Sequence, residues 1–444
     1  PAFQTLHEGE TFTRIEKFIP DASSRFSFAN QRLTLSIPQA AMNVQSRGYV
    51  DPSRWDDGVP AAFVDYYFSG AQIKNADEGE SSRSNYLNLR SGLNLGAWRL
   101  RNISSMQYDQ QRRHWDTQST WLQRDVRSLK SLLRIGDTYT TGDVFDSIQF
   151  RGVQLMSDDE MLPDSQRGFA PVVRGIAKSN AEVSIEQNGY VIYRTFVQPG
   201  AFEINDLYAT SGSGDLTVII KEADGSEQRF IQPFSAVAIF QREGYLKYSL
   251  AAGEYRAGNY DSDKPHFGQF TAMYGLPWGM TAYGGALLSA DYSALALGLG
   301  KNFGTIGAVS VDVTQAKSQL RNNEKEEGQS YRFLYSKSFE GGTDLRLLGY
   351  KYSTSGYYTF QEATDVRSDA DSDYRRYHKR SQIQGNITQQ LGDYGSVYFN
   401  MTQQDYWNVD GKENSLSAGY HGHIGRVNYS VAYTWTRSPE WEED

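Results

Sequence analysis

Val427-Asn428-Tyr429-Ser430-Val431-Ala432-Tyr433-Thr434-Trp435 sets aromatic and aliphatic side chains on its odd positions and polar or small ones on its even positions. Successive side chains of a strand point to opposite faces, so this stretch predicts a strand with one apolar and one polar face. The same writing recurs at Leu87, Leu89, Leu93 and Leu95 against Asn88, Arg90 and Asn94, and at Val309, Val311 and Val313 against Ser310, Asp312 and Thr314. It returns at Val397, Phe399 and Met401 against Tyr398, Asn400 and Thr402. A soluble antiparallel sheet gives this pattern too, so the weight falls on its repetition over almost the whole chain.

Composition separates the two cases better than periodicity does. The 444 residues are 39% hydrophobic, with 30 Tyr and 41 Gly, and the mean hydropathy is -0.60. A strand crossing an outer membrane needs an apolar residue only at every second position, so such a barrel is hydrophilic on average while still presenting an apolar belt. Aromatic residues gather where the wall meets lipid headgroups. Here Tyr66, Tyr67, Trp98, Tyr108, Trp121, Tyr350, Tyr352, Trp407 and Trp435 lie near expected strand ends. Aromatic packing in a large soluble β-protein is the plainer alternative.

No stretch approaches the roughly 18 consecutive apolar residues of a membrane helix, so a chain of this kind spans a bilayer only as a closed barrel. Cysteine is absent, and the net charge of -9 offers no basic footprint for nucleic acid. Asp158, Asp159 and Glu160 lack the ligand spacing and turn glycine of a hard-cation loop, and the six His show no catalytic or helical metal-binding pattern. The sequence therefore predicts no enzyme, no catalytic residue, no metal and no cofactor. The ends at Pro1 and Asp444 read as cut rather than natural.

Along the chain, a short strand at Arg32-Leu33-Thr34-Leu35-Ser36-Ile37 ends at Pro38, which cannot continue a ladder. About six alternating strands then run from Val64 to Asp158, each near the ~9–11 residues that cross a bilayer at a tilt. A compact unit from Pro171 to Phe234 interrupts them, and about twelve more follow Arg242, a total of about eighteen and enough for a wide lumen. Gln319 to Gln329, rich in Asn, Glu and Lys, reads as a solvent-exposed loop. Within the interruption, Val183, Ile185 and Gly189 to Tyr193 predict a hairpin turning at Asn188-Gly189, and Leu216 to Ile220 is expected to pair with Arg229 to Ile231 across Asp224-Gly225. Pro199-Gly200 punctuates the middle. A small sandwich is expected, with a long folded external loop as the alternative.

Several segments are more specific. Tyr49-Val50-Asp51-Pro52-Ser53-Arg54-Trp55-Asp56-Asp57-Gly58-Val59-Pro60-Ala61, Gly92-Leu93-Asn94-Leu95-Gly96-Ala97-Trp98-Arg99-Leu100-Arg101 and Ser157-Asp158-Asp159-Glu160-Met161-Leu162-Pro163 resemble the outer-membrane ushers of chaperone-usher pilus systems. So do Arg167-Gly168-Phe169-Ala170-Pro171, Arg174-Gly175-Ile176-Ala177 and Pro199-Gly200-Ala201-Phe202-Glu203-Ile204-Asn205-Asp206-Leu207, with Tyr283-Gly284-Gly285 and Asp312-Val313-Thr314-Gln315-Ala316 further on. Together they cover nearly the whole chain in the usher order.

The resemblance implies an all-β fold, a large antiparallel transmembrane β-barrel of twenty-four strands in the family, with an inserted β-sandwich plug domain between the sixth and seventh strands. It implies the tail of a periplasmic N-terminal domain and linker at 1–40, the first part of the barrel at 41–166, a plug at 167–241, and the continuing barrel, incomplete at its C-terminal end, at 242–444. It implies gating rather than chemistry: an outer-membrane pore that receives chaperone-subunit complexes and secretes pilus subunits without ATP, with outer-membrane lipid around it and a homodimer among its expected associations. The hairpin between strands five and six, which in ushers folds inward beside the plug, matches Gly136 to Asp143, and a short capping helix falls near Phe360 to Arg367, where alternation lapses. Candidate gating residues are Arg174, Lys178, Glu182, Glu186, Lys221 and Glu222 on the plug, Asp137 and Asp143 on the hairpin, and Glu362 and Arg367 on the helix. The plug charges are expected to face lumen charges such as Arg90, Arg99, Arg101, Glu254 and Arg256, in pairs worth about 0–1 kcal/mol each. A passive porin for small solutes is the main alternative, and a soluble adhesin a third; a porin constricts its channel with a loop and needs no folded insert.

Overall fold

The computed structural model describes residues 23–36, 46, 48–74, 81–109, 112–170, 172–179, 181–187, 190–197, 199–204, 207, 216–222, 226–232, 239–256, 263–339, 343–368, 378–425 and 427–437. Strands β1 (Ser23–Ser27) and β2 (Arg32–Ser36) form an isolated hairpin. Six long strands follow: β3 (Ala61–Lys74), β4 (Ser81–Leu95), β5 (Trp98–Asp109), β6 (Arg112–Val126), β7 (Ser131–Tyr139) and β8 (Gln149–Ser157). Six short ones come next, β9 (Val173–Ala177), β10 (Ala181–Gln187), β11 (Tyr190–Val197), β12 (Gly200–Ile204), β13 (Leu216–Lys221) and β14 (Glu227–Gln232).

The long strands then resume as β15 (Leu246–Tyr255), β16 (His266–Leu276), β17 (Met280–Ser289), β18 (Tyr292–Asn302), β19 (Ala308–Gln319), β20 (Lys325–Phe339) and β21 (Thr343–Ser353). After the helix α1 (Phe360–Ser368) come β22 (Lys379–Gln390), β23 (Ser396–Tyr406), β24 (Lys412–Ile424) and β25 (Val427–Arg437). All the long strands belong to one closed barrel in which neighbours in sequence are neighbours in space, except that β8 pairs with β15 across the inserted unit and β25 lies next to β3 where the barrel closes. Among the described residues six barrel strands precede the insert and eleven follow it, seventeen against the roughly eighteen that alternation suggests. The last strand, β25, is exposed on both faces along its whole length.

The wall is inside-out relative to a soluble protein. On β18, Leu295, Leu297 and Leu299 are 55%, 61% and 45% exposed while Ala294 and Ala296 are buried. On β19, Val311 and Val313 face out while Ser310, Asp312 and Thr314 are buried. An apolar exterior with a polar or small lumen face is what a membrane barrel requires. β20 starts at Lys325, so Lys325 to Gln329 belong to a strand, Leu320 is buried, and the exposed connection shrinks to the turn after it. At 15 residues β20 outruns the ~9–11 that lipid demands, and a strand end standing in water can afford charges.

The insert holds a four-stranded sheet in the order β11-β10-β13-β14 and a two-stranded sheet of β12 and β9. The Asn188-Gly189 and Asp224-Gly225 turns lie outside the described residues, yet the strands they join pair as expected: Ile185 with Tyr193, and Val218 with Phe230. Alternate side chains Val183 and Ile185 on β10 and Val218 and Ile220 on β13 are buried, with Val173, Phe202 and Ile204 from the smaller sheet. That is two sheets sharing one core.

Candidate functional site

The insert is seated through its linkers. One buried cluster runs from the insert core, through Phe169, Ala170, Ile239 and Phe240 of the two linkers, to Met273, Tyr283, Ala296 and Ala308 on the lumen face of β16 to β19. Phe169 and Phe240 meet at 5.4 Å between ring centroids. Arg242 staples the two linkers together. Its Nε donates to the Gly168 carbonyl at 2.8 Å and its Nη2 to the carbonyls of Leu207 at 2.6 Å and Arg167 at 3.4 Å. Tyr245 donates to Asp159 at 2.7 Å, and its burial with that carboxylate pushes its pKa up.

The β7–β8 hairpin bends into the lumen, and its sequence shows how. Pairing of β6 with β7 runs from Val126↔Ser131 to Trp121↔Gly136 and ends there, whereas β8 stays registered on β15 up to Phe150. Gly136 has φ +121°, and a Cβ there would lie 2.3 Å from the Thr120 carbonyl oxygen, so the bend needs glycine. The next residue, Asp137, is 4% exposed and accepts the Thr120 N–H at 3.0 Å. Arg151 donates to both its oxygens at 2.7 and 3.1 Å, and Arg256 pairs with it at 2.9 Å.

Beyond the bend, the hairpin tip reaches across to the wall. Asp143 pairs with Lys247 of β15 at 3.3 Å, and the Asp143 carbonyl accepts from Arg332 of β20 at 3.4 Å. Arg332 also pairs at 2.8 Å with buried Asp312, which accepts from Tyr283 at 2.8 Å. Val144 belongs to the cluster that holds the insert, Ile148 and Phe150 belong to a second cluster, and Phe145 packs against both.

That second cluster is the seat of α1. Phe360 is ringed by Tyr255, Phe267 and Tyr292 at 5.4–5.5 Å, with Ala363 and Val366 buried beside it. The helix begins on a capping box: Thr359 N–H donates to Glu362 at 2.9 Å and Glu362 N–H donates to the Thr359 hydroxyl at 3.3 Å. Glu362 also lies 3.9 Å from Lys379. In the last turn Arg367 pairs with Asp263 at 3.0 Å and with Asp291. Gln361 donates to the Ser147 carbonyl at 3.1 Å, which ties helix to hairpin. His378 at the foot of β22 is 3% exposed, stacks on Tyr358 at 4.2 Å and lies 2.9 Å from the Ser355 carbonyl. Burial lowers its pKa, against the opposing pull of Glu362 and the Ser355 hydrogen bond.

The candidate charges thus fall into two groups. Asp137, Asp143, Glu362 and Arg367 bind hairpin and helix to wall and rim. On the insert, Arg174 pairs with Glu203 at 3.0 Å and with linker Glu243 at 3.4 Å; burial opposes its charge, but these carboxylates outweigh it and raise its pKa. Glu182 pairs with Arg194 at 3.1 Å. Glu222 accepts from the Ser179 hydroxyl at 2.6 Å and from the N–H groups of Lys178 and Ser179 at 2.9 and 2.8 Å, which lowers its pKa, the hydroxyl contributing most. Lys221 stands opposite Glu182 and Glu227 in register, and Glu186 opposite Val191 and Thr217. Of the wall charges, Arg99 donates to the Asp57 carbonyl and Arg101 to the Leu100 carbonyl at 2.8 Å, while Arg256 forms an ion pair with Asp137. Arg242 and Phe145 carry no sequence signal, since their roles depend on distant partners; Thr359 could have been found, because Thr-x-x-Glu before an apolar residue is a helix start.

The family described as outer membrane usher protein matches residues 86–444, and the PapC N-terminal domain matches residues 2–70. The outer membrane usher protein LpfC of Salmonella typhimurium is 69% identical over 98% of this chain and 52% of its own length. FimD of Escherichia coli K12 is 46% identical over 96% of this chain and 51% of its own length. The chain spans about half the length of the curated relatives it matches. Among solved structures, the P pilus usher (PapC) translocation pore aligns with a TM-score of 0.56 at 29% identity, covering 85% of this chain and 78% of that one. A P pilus tip assembly intermediate, PapC-PapD-PapK-PapG from E. coli, aligns with a TM-score of 0.66 at 29% identity, covering 95% of this chain and 53% of that one. With its apolar face outward, a folded insert after its sixth strand and this match over most of its length, the chain belongs to the outer membrane usher family.

Proposed function

We propose that this chain is the gated channel of an usher that receives chaperone-subunit complexes and passes pilus subunits across the outer membrane, with residues 167–241 as its plug and no catalytic step. The observation that carries this is the continuous buried cluster from plug core through both linkers to the lumen wall, with hairpin and helix packed over it. A pore wide enough for a folded subunit would dissipate the permeability barrier unless filled at rest. The assembly intermediate among its structural neighbours contains an usher with three other proteins, which supports a role in assembly for this chain as well.

The ten candidate gating residues divide the labour in this proposal. The plug charges keep the plug a rigid body, and Asp137, Asp143, Glu362 and Arg367 keep hairpin and helix over it. The exposed and half-exposed pairs among them contribute about 0–1 kcal/mol each, so a gate held by several such pairs beside the buried Asp137 opens without ATP once a subunit competes for the lumen. Deleting residues 171–234 from the full-length protein tests it: uptake of an antibiotic that the intact outer membrane excludes should rise, and an unchanged closed pore would sink the plug assignment. Capture of a chaperone-subunit complex by the full-length protein tests the partner, and the mass of the detergent-solubilised complex tests a homodimer.

A further inference from the structure

The chain ahead of the first barrel strand touches the plug's incoming linker. Gln166 Nε2 donates to the Ser46 hydroxyl at 2.5 Å across a sequence separation of 120 residues. Beside it, Gly48 has φ +77° and faces Asp164 so closely that a Cβ would lie 2.8 Å from the Asp164 Cβ. A residue with a side chain is excluded there twice, by backbone conformation and by space. Asp164 opens the 3-10 turn Asp164–Gln166, whose Ser165 is buried, and pairs with Arg167 at 3.4 Å. The Arg167 and Gly168 carbonyls are two of the acceptors that Arg242 staples to the outgoing linker.

The other end of the same segment is fixed to the barrel rim. Asp57 pairs with Arg127, in the β6–β7 turn, at 2.5 Å, and its carbonyl accepts from Arg99 of β5. Between the two anchors, Asp51 caps the turn Pro52–Arg54, and Trp55 Nε1 donates to the Val50 carbonyl at 3.0 Å, so the segment has a defined shape of its own. It lies within the residues that match the PapC N-terminal domain. We infer that residues 46 and 48–58 restrain the plug hinge, so that displacement of the chain ahead of the barrel releases the plug's incoming linker. This gives the plug a mechanical input on the side where the linkers leave the wall, separate from helix α1, which follows the far end of β21.

The inference rests on the plug-gated function proposed above, and its test separates the two. In the full-length usher, Ser46→Cys and Gln166→Cys are joined by a short, reducible thiol cross-linker, with each single-cysteine variant as control; the present sequence contributes no cysteine of its own. Channel opening is read as conductance in a planar bilayer and as antibiotic uptake in cells. Cross-linking should reduce opening severalfold and a reductant should restore it, whereas cross-linked protein that opens like the single-cysteine controls overturns the restraint. Gly48→Ala, which must push the segment off Asp164, should raise resting leakage, and unchanged leakage counts against the restraint. If removing residues 171–234 opens the pore but cross-linking changes nothing, the restraint alone falls; if that deletion leaves the pore closed, both fall.

Discussion

The carboxylate of Asp137 accepts the backbone N–H of Thr120 at 3.0 Å at the point where β7 leaves β6. Bending the hairpin inward breaks the ladder there, and an unpaired N–H in a membrane wall is costly. Asp137 supplies the missing acceptor from one residue beyond the bend, and Arg151 and Arg256 neutralise it.

Asp137→Ala should therefore weaken the inward bend by about 1–3 kcal/mol, because it strands the Thr120 N–H and leaves the part-buried Arg256 without its counter-charge. Resting conductance of the full-length channel should rise, and amide protection of residues 136–148 should fall while that of β16 to β19 holds. Unchanged protection of the hairpin would remove Asp137 from this role.

The period-2 writing made the wall legible because a membrane barrel repeats one rule along every strand: Leu295, Leu297 and Leu299 outward, Ala294 and Ala296 inward. The insertion after the sixth strand was legible for the same reason, as a break in that rule. Charge partners were not. The sequence offers Arg256 to the plug, but β15 carries it to Asp137, 119 positions away in sequence, and Arg174 finds Glu203 because β9 and β12 pair. A salt bridge is set by register and by the seat of a domain, and neither has a period.

Glu222 should make the plug acid-sensitive. Its pKa is lowered, first by the Ser179 hydroxyl and next by the Lys178 N–H, from an ordinary value of 4.5. The unfolded chain takes up its proton first, so the stabilisation is complete above about pH 4.5 and is lost as pH falls through the lower folded value. The protection factors of the Lys178 and Ser179 amides, taken relative to intrinsic exchange at each pH, should fall below that pH in the intact protein, and Glu222→Gln should flatten this dependence. A pH profile identical in the variant would assign the acid response elsewhere.

His378 should act in a higher window. Burial lowers its pKa from 6.5, while Glu362 across the helix end and the Ser355 carbonyl oppose the shift, and Lys379 flanks the same carboxylate. With the docked form resisting the proton, docking of α1 is at full strength above about pH 6.5 and weakens as pH falls toward the lowered value. Leakage measured at pH 5 should exceed that at pH 7.5, and His378→Gln should abolish the difference. Equal leakage at both values in the parent protein would eliminate this contribution.

Phe145 is where the two buried clusters meet, one side against the cluster that seats the plug and the other against the cluster that seats α1. Because the ring is only partly buried, Phe145→Ala should cost about 1–3 kcal/mol, less than truncating a fully enclosed phenylalanine. The informative readout is coupling. If Phe145 transmits support between plug and helix, disrupting the helix seat with Phe360→Ala should loosen the plug in the parent but add little in the Phe145→Ala background. Plug looseness is read as resting conductance, and the two single substitutions together with the double form a thermodynamic cycle. Simple additivity would mean that plug and helix are held independently, with Phe145 filling space between them and carrying no load from one to the other.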